Sequence, residues 1–71
     1  MNFSDSIKQL RTKCLLSQED FARAIGVSFS TVNRWETGKT QPTFKALKRI
    51  DEYCKSNSLS FDFDFEPQND K

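Results

Sequence analysis

The chain has 71 residues, a formal net charge of +1, no histidine and two cysteines. That length allows one domain, near the lower size at which a hydrophobic core alone holds a fold, and leaves little room for a large substrate pocket. With no histidine, no carboxylate pair inside an apolar motif, no cationic start running into an apolar leader and no stretch able to span a bilayer, the expectation is a soluble cytoplasmic protein that is not an enzyme.

Ile7, Leu10 and Cys14 recur at helical spacing after Ser4 and Asp5, which predicts a first helix over about Asp5 to Lys13. "LSQEDF" opens a second helix at 18–25: Ser17 suits the N-cap, Asp20 stands at N3 and Leu16 can staple Phe21. Gly26 ends it, being the residue most easily placed in a left-handed conformation. The device repeats at once, with Ser28 as N-cap and Val27 stapling Val32, and predicts a third helix at 29–36 that stops in "TGKTQP" at Gly38 and Pro42. A fourth helix is predicted from near Thr43 to about Lys55, with Phe44, Leu47, Ile50 and Tyr53 or Cys54 on its apolar stripe. Four helices with short connections make a compact all-α domain over residues 1–56. Residues 57–71 then form an acidic, aromatic tail. In "LSFDFDFE", Leu59, Phe61, Phe63 and Phe65 alternate with Ser60, Asp62, Asp64 and Glu66, the period of a half-buried strand over 59–65, and "PQNDK" is expected to be disordered.

The cysteines have neither metal-site spacing nor the number for a disulfide framework. Cys14 and Cys54 are therefore read as small core or surface thiols, and no metal or cofactor is expected. Charge is unevenly placed: residues 1–55 hold ten Lys and Arg against six Asp and Glu, whereas residues 56–71 hold one against four. A basic body with an acidic tail makes double-stranded DNA a partner worth testing.

The third helix carries the sharpest signal. At about 100° per residue, Val32 and Trp35 face the core, Ser30, Asn33 and Arg34 face out and Phe29 lies on the flank. Ser, Thr and Asn are mediocre helix formers, yet hydroxyl, amide, guanidinium and aromatic groups are what base edges in the major groove accept. Singly these are ordinary surface residues; together they form a pattern. "SQEDFARAIGVSFSTVNRWETGKTQP" resembles the helix-turn-helix of the phage repressor and Cro (Xre, lambda-repressor-like) family, through Gln18, Ala22, Gly26, Val32 and the "RWETG" ending, over about residues 5–54.

The resemblance implies a lambda-repressor-like DNA-binding domain in which Phe29, Ser30, Asn33 and Arg34 read bases. Ser17, Gln18, Thr37, Lys39 and Thr40 would meet the phosphate backbone, Gln18 also bracing the first recognition residue, and Arg11 would pair with Glu36 in a structural ion pair. Three departures matter. Leu15 stands where the family usually has glycine, so a non-glycine residue would take the left-handed conformation or the turn would differ. Phe29 replaces a polar side chain at the first reading position, and the strand-like tail replaces a fifth helix that builds the dimer contact. The leading expectation is a homodimeric transcriptional regulator, with Leu59, Phe61, Phe63 and Phe65 either pairing with a two-fold mate or packing on their own domain against Ile7, Phe44 or Ile50. The alternative is an antitoxin or controller whose tail binds a protein partner.

Overall fold

The computed structural model describes residues 2–61. Four helices follow one another, α1 (Phe3–Lys13), α2 (Gln18–Ile25), α3 (Phe29–Glu36) and α4 (Phe44–Ser56). Each begins on a short polar side chain that accepts the amide hydrogen of the third helical residue: Asn2 from Asp5, Ser17 from Asp20, Ser28 from Thr31 and Thr43 from Ala46. Each also ends in the same way. A residue in the left-handed region follows the helix, and its amide and the next one return to the last free carbonyls. The pairs are Leu15 to Thr12 with Leu16 to Arg11, Gly26 to Arg23 with Val27 to Ala22, Gly38 to Trp35 with Lys39 to Arg34, and Ser58 to Lys55 with Leu59 to Cys54.

α3 packs against both α1 and α2, while α4 packs against α2. Ile7, Phe21, Val32 and Ile50 are fully enclosed where these helices meet. Phe3 meets the Trp35 ring edge to face at 5.5 Å, and Phe21 meets Tyr53 in the same manner at 6.0 Å. Cys54 lies in this core, where burial pushes its thiol up and so keeps it protonated and unreactive, and Cys14 is half-buried beside it in the cluster.

Two sequence expectations need correction. α1 starts at Phe3 and not at Asp5, because Asn2 caps it and the extra turn carries Phe3 and Ser6 into the core. Phe44 is 72% exposed and off the apolar stripe. It lies about 120° around the helix from Ile50, and the buried side of α4 is instead Ala46, Ile50 and Cys54, spaced four apart. The expected strand over 59–65 lies mostly outside the described residues: 59–61 are described and form no strand, and 62–65 lie beyond them. The Leu59 amide is held by the Cys54 carbonyl, which folds the chain back so that Leu59 and Phe61 pack on their own domain while Ser60 stays exposed. Phe61 meets the edge of Phe3 at 6.2 Å. Over 59–61 the alternation reports one-sided burial against the domain's own core.

Leu15 takes the left-handed conformation at φ 59° and is 90% exposed. A β-carbon there costs about 1–2 kcal/mol, of which glycine's greater unfolded-state freedom would offset roughly half. Leu15→Gly should therefore raise unfolding stability in urea by about 0.5–1 kcal/mol, whereas Leu15→Ala, which keeps the β-carbon and removes only the exposed chain, should change it little.

Candidate nucleic-acid interface

The turn Gly26–Val27–Ser28 sets the crossing of α2 and α3. Gly26 sits at φ 78°, and its carbonyl accepts a hydrogen bond from Arg49 Nη1 at 2.7 Å, so α4 clamps the turn. Val27 is half-buried on the core side and Val32 fully enclosed below it. With Val32 and Trp35 turned inward, the opposite face of α3 shows Ser30 and Arg34 exposed, Phe29 49% exposed and Asn33 half-buried. All four residues expected to read bases therefore lie along one accessible helix face.

A polar chain supports this face from behind. Arg11 Nε donates to Glu36 Oε2 at 2.6 Å and Arg11 Nη2 to Oε1 at 3.0 Å, the two-pronged geometry that favours Arg with carboxylate. Gln18 Nε2 donates to the same Oε1 at 3.0 Å, and Gln18 Oε1 accepts from Asn33 Nδ2 at 3.2 Å. Arg11 Nη1 also holds the Leu16 carbonyl at 2.9 Å, and the Ser4 hydroxyl donates to the Glu36 carbonyl at 2.8 Å. The Glu36 side chain is 3% exposed and that of Arg11 19%. Burial alone would push the Glu36 carboxyl up. Hydrogen bonds from Arg11 and Gln18, with the charges of Arg11 and Lys8, outweigh it and hold the group below the ordinary glutamate range.

Gln18 thus braces Asn33, the fifth residue of α3, and not Phe29 at its start. Ser17 is engaged as an acceptor by the Asp20 amide and keeps its hydroxyl proton for another partner. Thr37 is turned back, its hydroxyl donating to the carbonyls of Asn33 at 3.0 Å and Arg34 at 3.2 Å, whereas Lys39 and Thr40 are exposed in the loop that follows. The bonds by which Ser4 and Arg49 hold the end of α3 and the turn before it carried no sequence signal: each runs from a side chain to a backbone carbonyl far along the chain. Among the described residues no cluster of His, Cys, Asp or Glu could hold a metal ion, and no helix is long and apolar enough to cross a membrane.

A helix-turn-helix family model matches residues 7–60. The HTH-type transcriptional activator BcrR of Enterococcus faecalis is 38% identical over 53 residues, covering 75% of this chain and 26% of that protein. The type II methyltransferase M.SsoII of Shigella sonnei is 38% identical over 52 residues, 69% of this chain and 14% of the enzyme. The uncharacterized HTH-type transcriptional regulator YiaG of Escherichia coli K12 is 43% identical over 42 residues, 59% of this chain and 44% of that protein. The chain thus spans less than half the length of these relatives, and no solved structure gives a significant match.

Removing either Arg11 or Glu36 strands a charge and should destabilise the domain by about 3 kcal/mol, while replacing both with apolar residues should cost much less. A double-mutant cycle on urea unfolding reads that coupling. Because the folded carboxyl titrates below its unfolded value, its contribution is complete above the ordinary glutamate range and is lost as pH falls through the lowered folded value. Glu36→Gln should accordingly flatten the acid limb of stability, followed by urea midpoints from about pH 7 to about pH 3.

Proposed function

The chain belongs to the helix-turn-helix family of the phage repressor and Cro type, and on that premise we propose that it is a transcriptional regulator that binds duplex DNA by laying the outer face of α3 in the major groove. The observation that carries this reading is the face itself: Phe29, Ser30, Asn33 and Arg34 stand along one accessible side of a helix whose other side is locked by Val32 and Trp35. Short polar side chains keep that face thin enough for a groove, and Arg34 supplies a fork for paired acceptors on a base. Ser17, Gln18, Lys39 and Thr40 flank it, at the start of α2 and in the loop after α3, where they would position the phosphates. No catalytic role is assigned. M.SsoII is an enzyme by name, but it matches over only 14% of its length, through a region that this chain shares with the regulators.

If each monomer neutralises about three phosphates, a dimer on a two-fold site should lose affinity with a log–log salt slope of roughly −5, measured by fluorescence anisotropy with duplex DNA. A slope near zero would contradict the reading. On a selected site, Arg34→Ala should cost about 1–3 kcal/mol per half-site and relax preference at one base position, and Lys39→Ala should weaken all duplexes alike.

The dimer is part of the same proposal, built from the tail and the groove beside it. Leu47, Asp51, Cys54, Lys55, Leu59, Ser60 and Phe61 line an open groove of about 470 Å³ along α4. A mate seated there would cover apolar surface that one small domain leaves to water, with Leu59 and Phe61 at its edge and Phe63 and Phe65 following them in sequence. Removal of residues 62–71 should shift the mass measured by sedimentation equilibrium from dimer to monomer while the helical circular dichroism is retained. A truncated chain that stays dimeric would exclude the tail as the contact.

A further inference from the structure

The Glu36 carboxylate decides which way two side-chain amides point. An ionised carboxylate has no hydrogen to donate, so the Gln18 atom that faces Oε1 at 3.0 Å must be the amide nitrogen. That leaves the Gln18 carbonyl oxygen facing α3, and an oxygen there can be satisfied only by a donor. The Asn33 atom at 3.2 Å is therefore also its nitrogen. Arg11 closes the other end, holding both Glu36 oxygens and excluding the reverse arrangement. The result is a one-way relay from a buried ion pair to the surface of the recognition helix.

Asn33 spends one amide hydrogen on Gln18, and among the described residues its Oδ1 and second amide hydrogen have no partner. An acceptor and a donor side by side, held at a half-buried site, match the N6 donor and N7 acceptor of adenine; guanine presents two acceptors on the same edge, and one of them would face Oδ1. We infer that Gln18 is a positioning residue for base recognition: the relay Arg11–Glu36–Gln18–Asn33 fixes the Asn33 amide so that the middle of the recognition helix accepts adenine and rejects guanine. This rests on the DNA-binding reading above and adds to it the base class and the residue that enforces it. Orienting a short side chain before binding lowers the entropy lost in the complex, and it makes the wrong base leave a fixed acceptor unpaired.

The test is site selection from random duplexes with the full chain, as wild type, Asn33→Ala and Gln18→Met. Methionine keeps the length of Gln18 and removes both of its hydrogen bonds. Wild type should enrich adenine over guanine by about tenfold or more at one position of each half-site. Asn33→Ala should abolish that preference, and Gln18→Met should reduce it severalfold at that same position while leaving the positions read by Arg34 and Ser30 unchanged. Should Gln18→Met weaken binding evenly and keep every preference, the inference falls and DNA binding stands. A wild-type chain that enriches no sequence overturns both. A second measurement needs neither DNA nor a substitution. In the free protein, hydrogen exchange of the Gln18 and Asn33 side-chain amides should be slowed relative to those of Gln9 and Gln41, which are exposed. Equal exchange at all four side chains would show that no relay exists.

Discussion

One buried carboxylate organises the molecule. Glu36 is the last residue of α3, and its two oxygens are bound by α1 through Arg11 and by α2 through Gln18, while its main-chain carbonyl is bound by Ser4 near the start of α1. Three helices that meet in a small apolar core could slide over one another at little cost, since apolar packing is not directional. Directional bonds to a single acceptor remove that freedom. Buried ion pairs as a class are costly to break and cheap to replace whole, the behaviour of a device that selects a geometry more than one that adds stability. Here the bonds tie the end of α3 to α1 and α2.

The apolar contacts do the complementary work. Trp35 and Val32 alternate with the outward residues of α3, and Phe3 closes over Trp35 from the first turn of α1. Phe61 then closes over Phe3, so the chain beyond α4 finishes the same aromatic stack that the N-terminus began. The two ends of the described chain thus meet on the side of the domain where Trp35 is buried, and Trp35 points away from the face that carries Ser30 and Arg34.

What could be read from the sequence was whatever is decided within a few residues. Ser17 and Ser28 announce helix starts because a cap is a local bond, and Gly26 and Gly38 announce ends because few other residues take a positive φ without strain. Leu15 and Ser58 do the same task without the signal. The family resemblance allowed for the first; nothing in the sequence pointed to the second. Phe44 was assigned to the core because a helix that starts at Thr43 offers it a plausible stripe, and only the actual contact of α4 with α2 shows that Ala46 lies on the buried side. The alternation from Leu59 to Phe65 reports one-sided burial and not the partner that causes it, and over 59–61 that partner is the chain's own core. Least legible was the bond from Gln18 to Asn33, which depends on the crossing of two helices and on the rotamers of two amides.

The poor helix formers of α3 follow from this division of labour. An eight-residue helix is too short to be stable alone whatever its composition, so little is lost by filling its outer face with residues such as Ser30 and Asn33. Its order comes from elsewhere: Ser28 caps the first turn, Gly38 and Lys39 close the last, Val32 and Trp35 are buried, and Glu36 is tied to two other helices. Local propensity is therefore free to be given up on that face. A helix stabilised by its own surface would need long Glu and Lys side chains in i, i+4 pairs there, and these would hold any rigid partner away from the backbone. Because the domain stabilises α3 from behind, its front can be chemically specific, and the same bonds that hold the helix in place also set the direction of the one amide on that face tied into the interior.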